Sequence, residues 1–296
     1  MNFITKKDWR SYETISLPYK IFDFELESNE GDRAVESIIL AKEKDSRIRI
    51  AVKYSMIQEP VSVLEKFGIL KSAGFQGVEI TIAQRKDLRE ILRGVDATGV
   101  AVHGVVHGSS DNYQDALNLC KAVGGDAVLV VARLKPEVRY EENFKLAQDF
   151  IRDAIPQAER LGIRLLVENV RGSFLKKAEE MARFIDELKS PMVGAYFDTG
   201  NAISWTEQSA EHWVRILGRR IVKLDIKDRG HHEFGDPRTK RQGVLGTEGG
   251  EVHWQNVRKE LKEINFSGWA TAEVKGGNEA RLKRAAKWMH GVLGLG

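Results

Sequence analysis

Cysteine is almost missing from this chain. Its 296 residues hold one, Cys120, which excludes an internal disulfide framework and fits a reducing compartment. No apolar run is long enough to span a bilayer, and the first residues lack the charged-then-apolar order of a signal peptide. No sign of charge dominates either: 46 lysines and arginines stand against 43 aspartates and glutamates. The concentrated basic stripe of a nucleic-acid binder is therefore absent. These absences leave a cytoplasmic protein with neither a membrane nor a nucleic acid as partner. The length suffices for a full-sized core, as one large α/β barrel or two modest domains.

Residues 1–46 lack strand–helix rhythm. A short alternating strand (19–27) and one amphipathic helix (33–44) are all they offer, so they read as an extension to a main domain at 47–296. From Arg47 onward, apolar strands alternate with amphipathic helices, the pattern of a parallel sheet covered by helices. Strands are expected at IRIAVKY (48–54), GVEIT (77–81), VAVHGV (100–105) and DAVLVVA (126–132), then at IRLLVEN (163–169), VGAYFD (193–198), IVKLDI (221–226) and GWATAEV (268–274). Eight such units in about 250 residues match a closed (β/α)8 TIM barrel. The structural alternative, an open doubly wound sheet, usually carries a glycine-rich turn after its first strand, and SMIQEP after Tyr54 has none.

In such barrels chemistry sits at the carboxyl ends of the strands. Read in order, that rim carries Glu79, His103, Glu168, Asp198, Asp225 and Glu273. Any one of these acids alone is more often a helix cap or surface charge. Four of them on four consecutive strands, Glu168 to Glu273, would repel one another severely unless a cation joined them. A divalent metal is the expectation.

The ordered set FQGVEI (75–80), LGIRLLVEN (161–169), AYFDTGN (195–201), GRRIVKLDIKDR (218–229), GTEGGEVHW (246–254) and GWATAEV resembles the xylose-isomerase-like barrel superfamily of sugar isomerases and epimerases, also called the AP-endonuclease-2 type. The resemblance implies a metal held by Glu168, Asp198, the strand-seven residue and Glu273, with Glu168 and Glu273 as acid/base pair. Two positions depart from the family pattern. Asp225 and Asn201 stand where the family often has histidines. If Asp225 ligates, the donor set is all oxygen, which favours Mn²⁺ or Mg²⁺ over Zn²⁺. Lys223, one layer deeper on the same strand face, is the expected counterion for the surplus negative charge. The rival reading has the metal lost and Lys223 paired with Asp225.

The function expected is proton transfer beside a carbonyl in a small sugar or sugar phosphate, through an enediolate. Glu79, His103, His107, Asn201 and Lys227 are the candidate substrate contacts; for Lys227 the alternative is an ion pair with Asp228. Rings of Tyr196, Phe197, Trp205 and Trp269 are candidates to enclose the site. The polar loop 229–250 reads as a lid, with Arg238, Lys240 and Arg241 as candidate phosphate contacts and His231 and His232 as spare ligands. A lyase or dehydratase on inositol or 3-keto-glycosides would use the same metal and base. A DNA-repair endonuclease needs more histidines than are present, and a metal-free binding barrel remains the non-enzymatic alternative. A homo-oligomer is compatible with the sequence.

Overall fold

Eight short apolar segments lie side by side, all parallel, and the last pairs with the first. The strands are β1 (Ile48–Lys53), β2 (Gly77–Thr81), β3 (Ala101–Val106), β4 (Ala127–Val130), β5 (Arg164–Glu168), β6 (Val193–Asp198), β7 (Ile221–Ile226) and β8 (Gly268–Ala272). Their order around the closed barrel is β1-β8-β7-β6-β5-β4-β3-β2. This computed structural model describes residues 48–107, 113–206, 208–230, 233–236 and 250–295. The expected elements of segment 1–46, the pair His231–His232 and the run containing Arg238, Lys240 and Arg241 lie outside the described residues.

The helices between strands form where capping signals and an apolar stripe coincide. In α1 (Val63–Ala73) the Ser62 hydroxyl accepts the Glu65 N–H while the Glu65 carboxylate accepts the Ser62 N–H, a reciprocal cap that fixes the helix start. Gly74, at φ 91°, ends it in the left-handed conformation. Outside the barrel, strand side chains meet helix side chains. Phe197 of β6 stacks on Trp213 of α7 (Ala210–Leu217) at 6.2 Å between ring centres. Inside, Ala127, Leu129, Leu166 and Tyr196 form a separate apolar cluster. The two faces of β6 thus alternate as strand geometry requires, with Tyr196 and Asp198 inward and Phe197 outward.

The barrel interior is unusually polar toward its amino end. Arg49 lies 4.1 Å from the centre of the Trp269 ring, and His103 stacks on that ring at 4.9 Å. The pairing of β2 with β3 skips from Val78–Val102 to Glu79–Gly104, so His103 is the extra residue of a bulge. Its ring nitrogens meet the Thr271 hydroxyl at 3.1 Å and the Lys223 ammonium at 3.2 Å. The Lys223 ammonium also donates to the His103 carbonyl and pairs with Asp126. Lys223 therefore points to the amino end of the barrel. It is not the partner of Asp225 that the sequence suggested, because the two are separated by a two-residue rise of about 6.6 Å along the strand and Lys223 finds acceptors below.

Candidate metal centre and active site

At the carboxyl end of the barrel, strand register sets the depth of each acidic group. Asp198 pairs in register with Asp225, which pairs in register with Thr271, so Glu273 stands one turn of the pleat above. Glu168 is level with Tyr196. Ligand-capable oxygens of Glu168, Asp198, Asp225 and Glu273 all lie within 4.8 Å of one another. Asp198 and Asp225 are fully buried, Glu168 nearly so.

Each carboxylate is held by specific contacts. Asp198 both caps a helix and faces the cluster. Its Oδ1 accepts the Asn201 N–H at 2.7 Å, starting α6 (Thr199–Trp205), while Oδ2 lies 2.9 Å from the Lys227 ammonium. Asn169 clamps the Asp198 backbone, donating to its carbonyl at 2.9 Å and accepting its N–H at 2.7 Å. The Asn201 amide donates to Glu168 Oε1 at 3.1 Å and its carbonyl accepts the Trp205 indole N–H at 3.2 Å. A side chain at Gly200 would overlap the Lys227 stem, so glycine is what lets this turn press against Lys227.

Lys227 also approaches Glu273, at 3.4 Å, so its partners are Asp198 and Glu273 rather than Asp228. The Asp228 carboxylate instead accepts the N–H groups of Arg229, Glu251 and Val252 at 2.7–3.0 Å and the Trp254 indole at 2.9 Å. It clasps the returning chain to the end of β7, and a side chain at Gly250 would collide with it.

The residue that sequence reasoning missed is Lys53. It closes β1, in register with Glu79, and its ammonium reaches Glu79 and Asp225 Oδ2, the latter at 2.8 Å. It lies 5.0 Å from the centre of the Tyr196 ring, whose hydroxyl meets Thr271. Alternation of Arg49, Ala51 and Lys53 inward was the available signal; a lysine inside a barrel needs an acidic partner.

Five carboxylates, counting Glu79, meet two lysines here, a surplus of three negative charges. Burial, then the charges of Glu273 and Asp198, push the Glu168 carboxyl up to about 8. Burial also raises Asp198 against the pull of Lys227, and raises Asp225 well above the usual range against Lys53. Burial opposes ionisation of Glu273 too, but Lys53 and Lys227 outweigh it and hold that group low. All three upward shifts come from carboxyl groups crowded together out of water, and a dication fits that shortage of positive charge. The Oδ1 of Asp225 and Oε1 of Glu79 are buried with no hydrogen-bond partner, further acceptors for a cation or its water.

A cavity of about 600 Å³ opens above the cluster, lined by Lys53, Glu79, Glu168, Asn201, Lys227 and Glu273 among others. Of the expected substrate contacts, Glu79, Asn201 and Lys227 reach it. His103 does not, being spent on Thr271, Lys223 and Trp269 inside the barrel. His107 packs edge-on against Tyr113, ring centres 4.2 Å apart, and is outside the lining. Of the four candidate rings only Trp205 lines the cavity, joined by Tyr54 and Phe234. Tyr196 is fully buried below, Trp269 lies at the amino end, and Phe197 faces the helices.

Fold and site together define a (β/α)8 barrel with a carboxylate-lined cavity at the carboxyl ends of its strands, where barrels of this kind carry out chemistry. The chain belongs to the xylose isomerase-like TIM barrel family, whose model matches residues 67–291. No curated protein sequence matches it. Among solved structures it is similar to the apo form of 3-keto-D-glucoside 4-epimerase, YcjR, from E. coli. That match has 18% identity and TM-score 0.66, over 83% of this chain and 100% of that one. D-psicose 3-epimerase from Clostridium cellulolyticum H10, solved with D-tagatose, matches at 16% identity and TM-score 0.67, covering 83% and 99%. The IOLI protein, solved with a zinc atom, matches at 15% and 0.67, covering 83% and 98%.

Proposed function

We propose that this protein is a divalent-metal-dependent sugar isomerase or epimerase, working by proton transfer at a carbon beside a carbonyl. The observation that carries the reading is the meeting of Glu168, Asp198, Asp225 and Glu273, from four consecutive strands, beneath a polar cavity. These four would hold the ion, and their all-oxygen donor set favours Mn²⁺ or Mg²⁺. The ion would supply Lewis-acid polarisation of the substrate carbonyl. Glu168 and Glu273 border the cavity from strands three apart in the barrel. One removes the proton and the other returns it, on the opposite face for an epimerase or at the adjacent carbon for an isomerase. Lys227 and Asn201 point donors into the same space, where they bind substrate hydroxyl groups and fix its orientation. The sugar epimerases among the structural neighbours support a carbohydrate substrate.

The test is exchange in deuterated water with Mn²⁺ and a panel of ketoses, ketose phosphates and 3-keto-glycosides. Deuterium in recovered sugar is expected, whereas loss of water or of the aglycone would move the assignment to a lyase. Glu168→Gln and Glu273→Gln should each reduce exchange at least a hundredfold with unchanged thermal unfolding. Retained exchange in either variant would remove that residue from its role.

A further inference from the structure

The main cavity has a neighbour. A second hollow of about 240 Å³ opens beside it, and the two share Asn201 and Trp205 as common walls. The remaining lining comes from the segments after β5 and after α6, including Asn169, Arg171, Ser173 and Thr206. Among the described residues it contains no carboxylate, in contrast to the acidic floor next door. Trp205 is 42% exposed, a large aromatic surface left open beside a polar cavity.

The ring is also held in place. Its N–H is bound by the Asn201 carbonyl at 3.2 Å, and the Asn201 amide holds Glu168 at 3.1 Å, so two hydrogen bonds index the indole to the candidate catalytic carboxyl. Arg171 lies 5.0 Å from the ring centre and brings its donors to the edge of the same hollow. An exposed indole carrying a guanidinium group over its ring is the kind of aromatic and donor pairing that recognises a pyranose ring. Such a ring offers C–H groups on one face and hydroxyl groups around its edge.

Resting on the carbohydrate reading above, we propose that the physiological substrate is a glycoside of two units. The reacting unit occupies the main cavity over the carboxylates. The glycosidically linked second ring lies across Trp205 in the side hollow, within reach of Arg171. The side hollow thus selects against free monosaccharides, and the link through Asn201 aligns the reacting unit with Glu168.

Calorimetric titration of the full Mn²⁺-loaded chain tests this with fructose and three hexosyl-fructoses of different linkage, namely turanose, isomaltulose and lactulose. At least one disaccharide is expected to bind tenfold or more tightly than fructose. That preference should shrink toward unity in Trp205→Ala, be partly kept in Trp205→Phe, and fall severalfold in Arg171→Ala. Circular dichroism and unfolding midpoints confirm that the variants are folded. Equal affinity for fructose and all three disaccharides would overturn the proposal while leaving the sugar reading intact, as would a preference that survives Trp205→Ala. If none of the four sugars binds, the carbohydrate reading falls, and this subsite with it.

Discussion

Replacing Lys53 by Met probes the centre most directly, because the volume is nearly conserved while one buried charge disappears. The Lys53 ammonium lies against Glu79 and 2.8 Å from Asp225, with almost no solvent contact. Burial disfavours its charge, yet Asp225 and Glu79 together hold it well above the ordinary lysine range, so it is charged at neutral pH. Without it, Glu79 and Asp225 are buried carboxyl groups that have lost their shared counterion. Removing one member of a buried charge pair typically costs about 3–5 kcal/mol.

Urea unfolding of metal-free wild type and Lys53→Met at pH 7 reads the difference. The expected loss is about 4 kcal/mol. Glu79→Gln added to Lys53→Met should recover most of the pH 7 loss, since an uncharged amide no longer needs the counterion. A loss below about 1 kcal/mol at pH 7 would refute the argument.

Other outcomes follow from the same charges. With Glu168 at about 8 and Asp198 and Asp225 also displaced upward, loading Mn²⁺ at pH 7 should release at least one proton. Calorimetry in buffers of different ionisation heat counts it, and no release would contradict the charge count. His103 is kept well below the usual histidine range by burial and then by Lys223 and Lys53. The unfolded chain therefore binds the extra proton below about pH 6.5, so this contribution to stability is complete above that pH and lost on acidification. His103→Gln should lose stability less steeply with acid, by up to about 1.4 kcal/mol per pH unit; parallel curves would count against a neutral buried imidazole. Asp228→Ala strips acceptors from three backbone N–H groups and an indole, and a loss of about 3 kcal/mol is expected in urea unfolding, with Asp228→Asn intermediate. A loss under about 0.5 kcal/mol would mean that water replaces those bonds freely.

Much of the barrel was legible because its strands announce themselves by length and apolar content. GVEIT, VGAYFD and IVKLDI occupy the expected residues, and the rest shift by one or two positions at their ends. The acidic rim was legible for the same reason, since strand ends are easy to locate and four of them carried acids. What failed was depth. His103 sits in a bulge, and a skipped register is invisible in a single strand's alternation. Lys223 was matched to the acid nearest in sequence, though Asp126, just before β4, captures it from below. Phe197 could have been excluded as a cavity wall by its own parity, one residue from the inward Asp198. Lys53 escaped because its partners, Glu79 and Asp225, come from β2 and β7, and only ring closure brings β7 within reach of β1, across β8.

The clasp at Asp228 separates two kinds of variation. Gly230 bridges to Gly250, and Asp228 grips Glu251 and Val252, so the excursion between them leaves and returns through one fixed gateway. Because closing such an excursion becomes only about 0.6 kcal/mol harder for each doubling of its length, descendants of this chain are free to lengthen it after Asp236, beyond the anchored Glu233 and Phe234. The carboxylates at the strand ends would keep their places through every such revision.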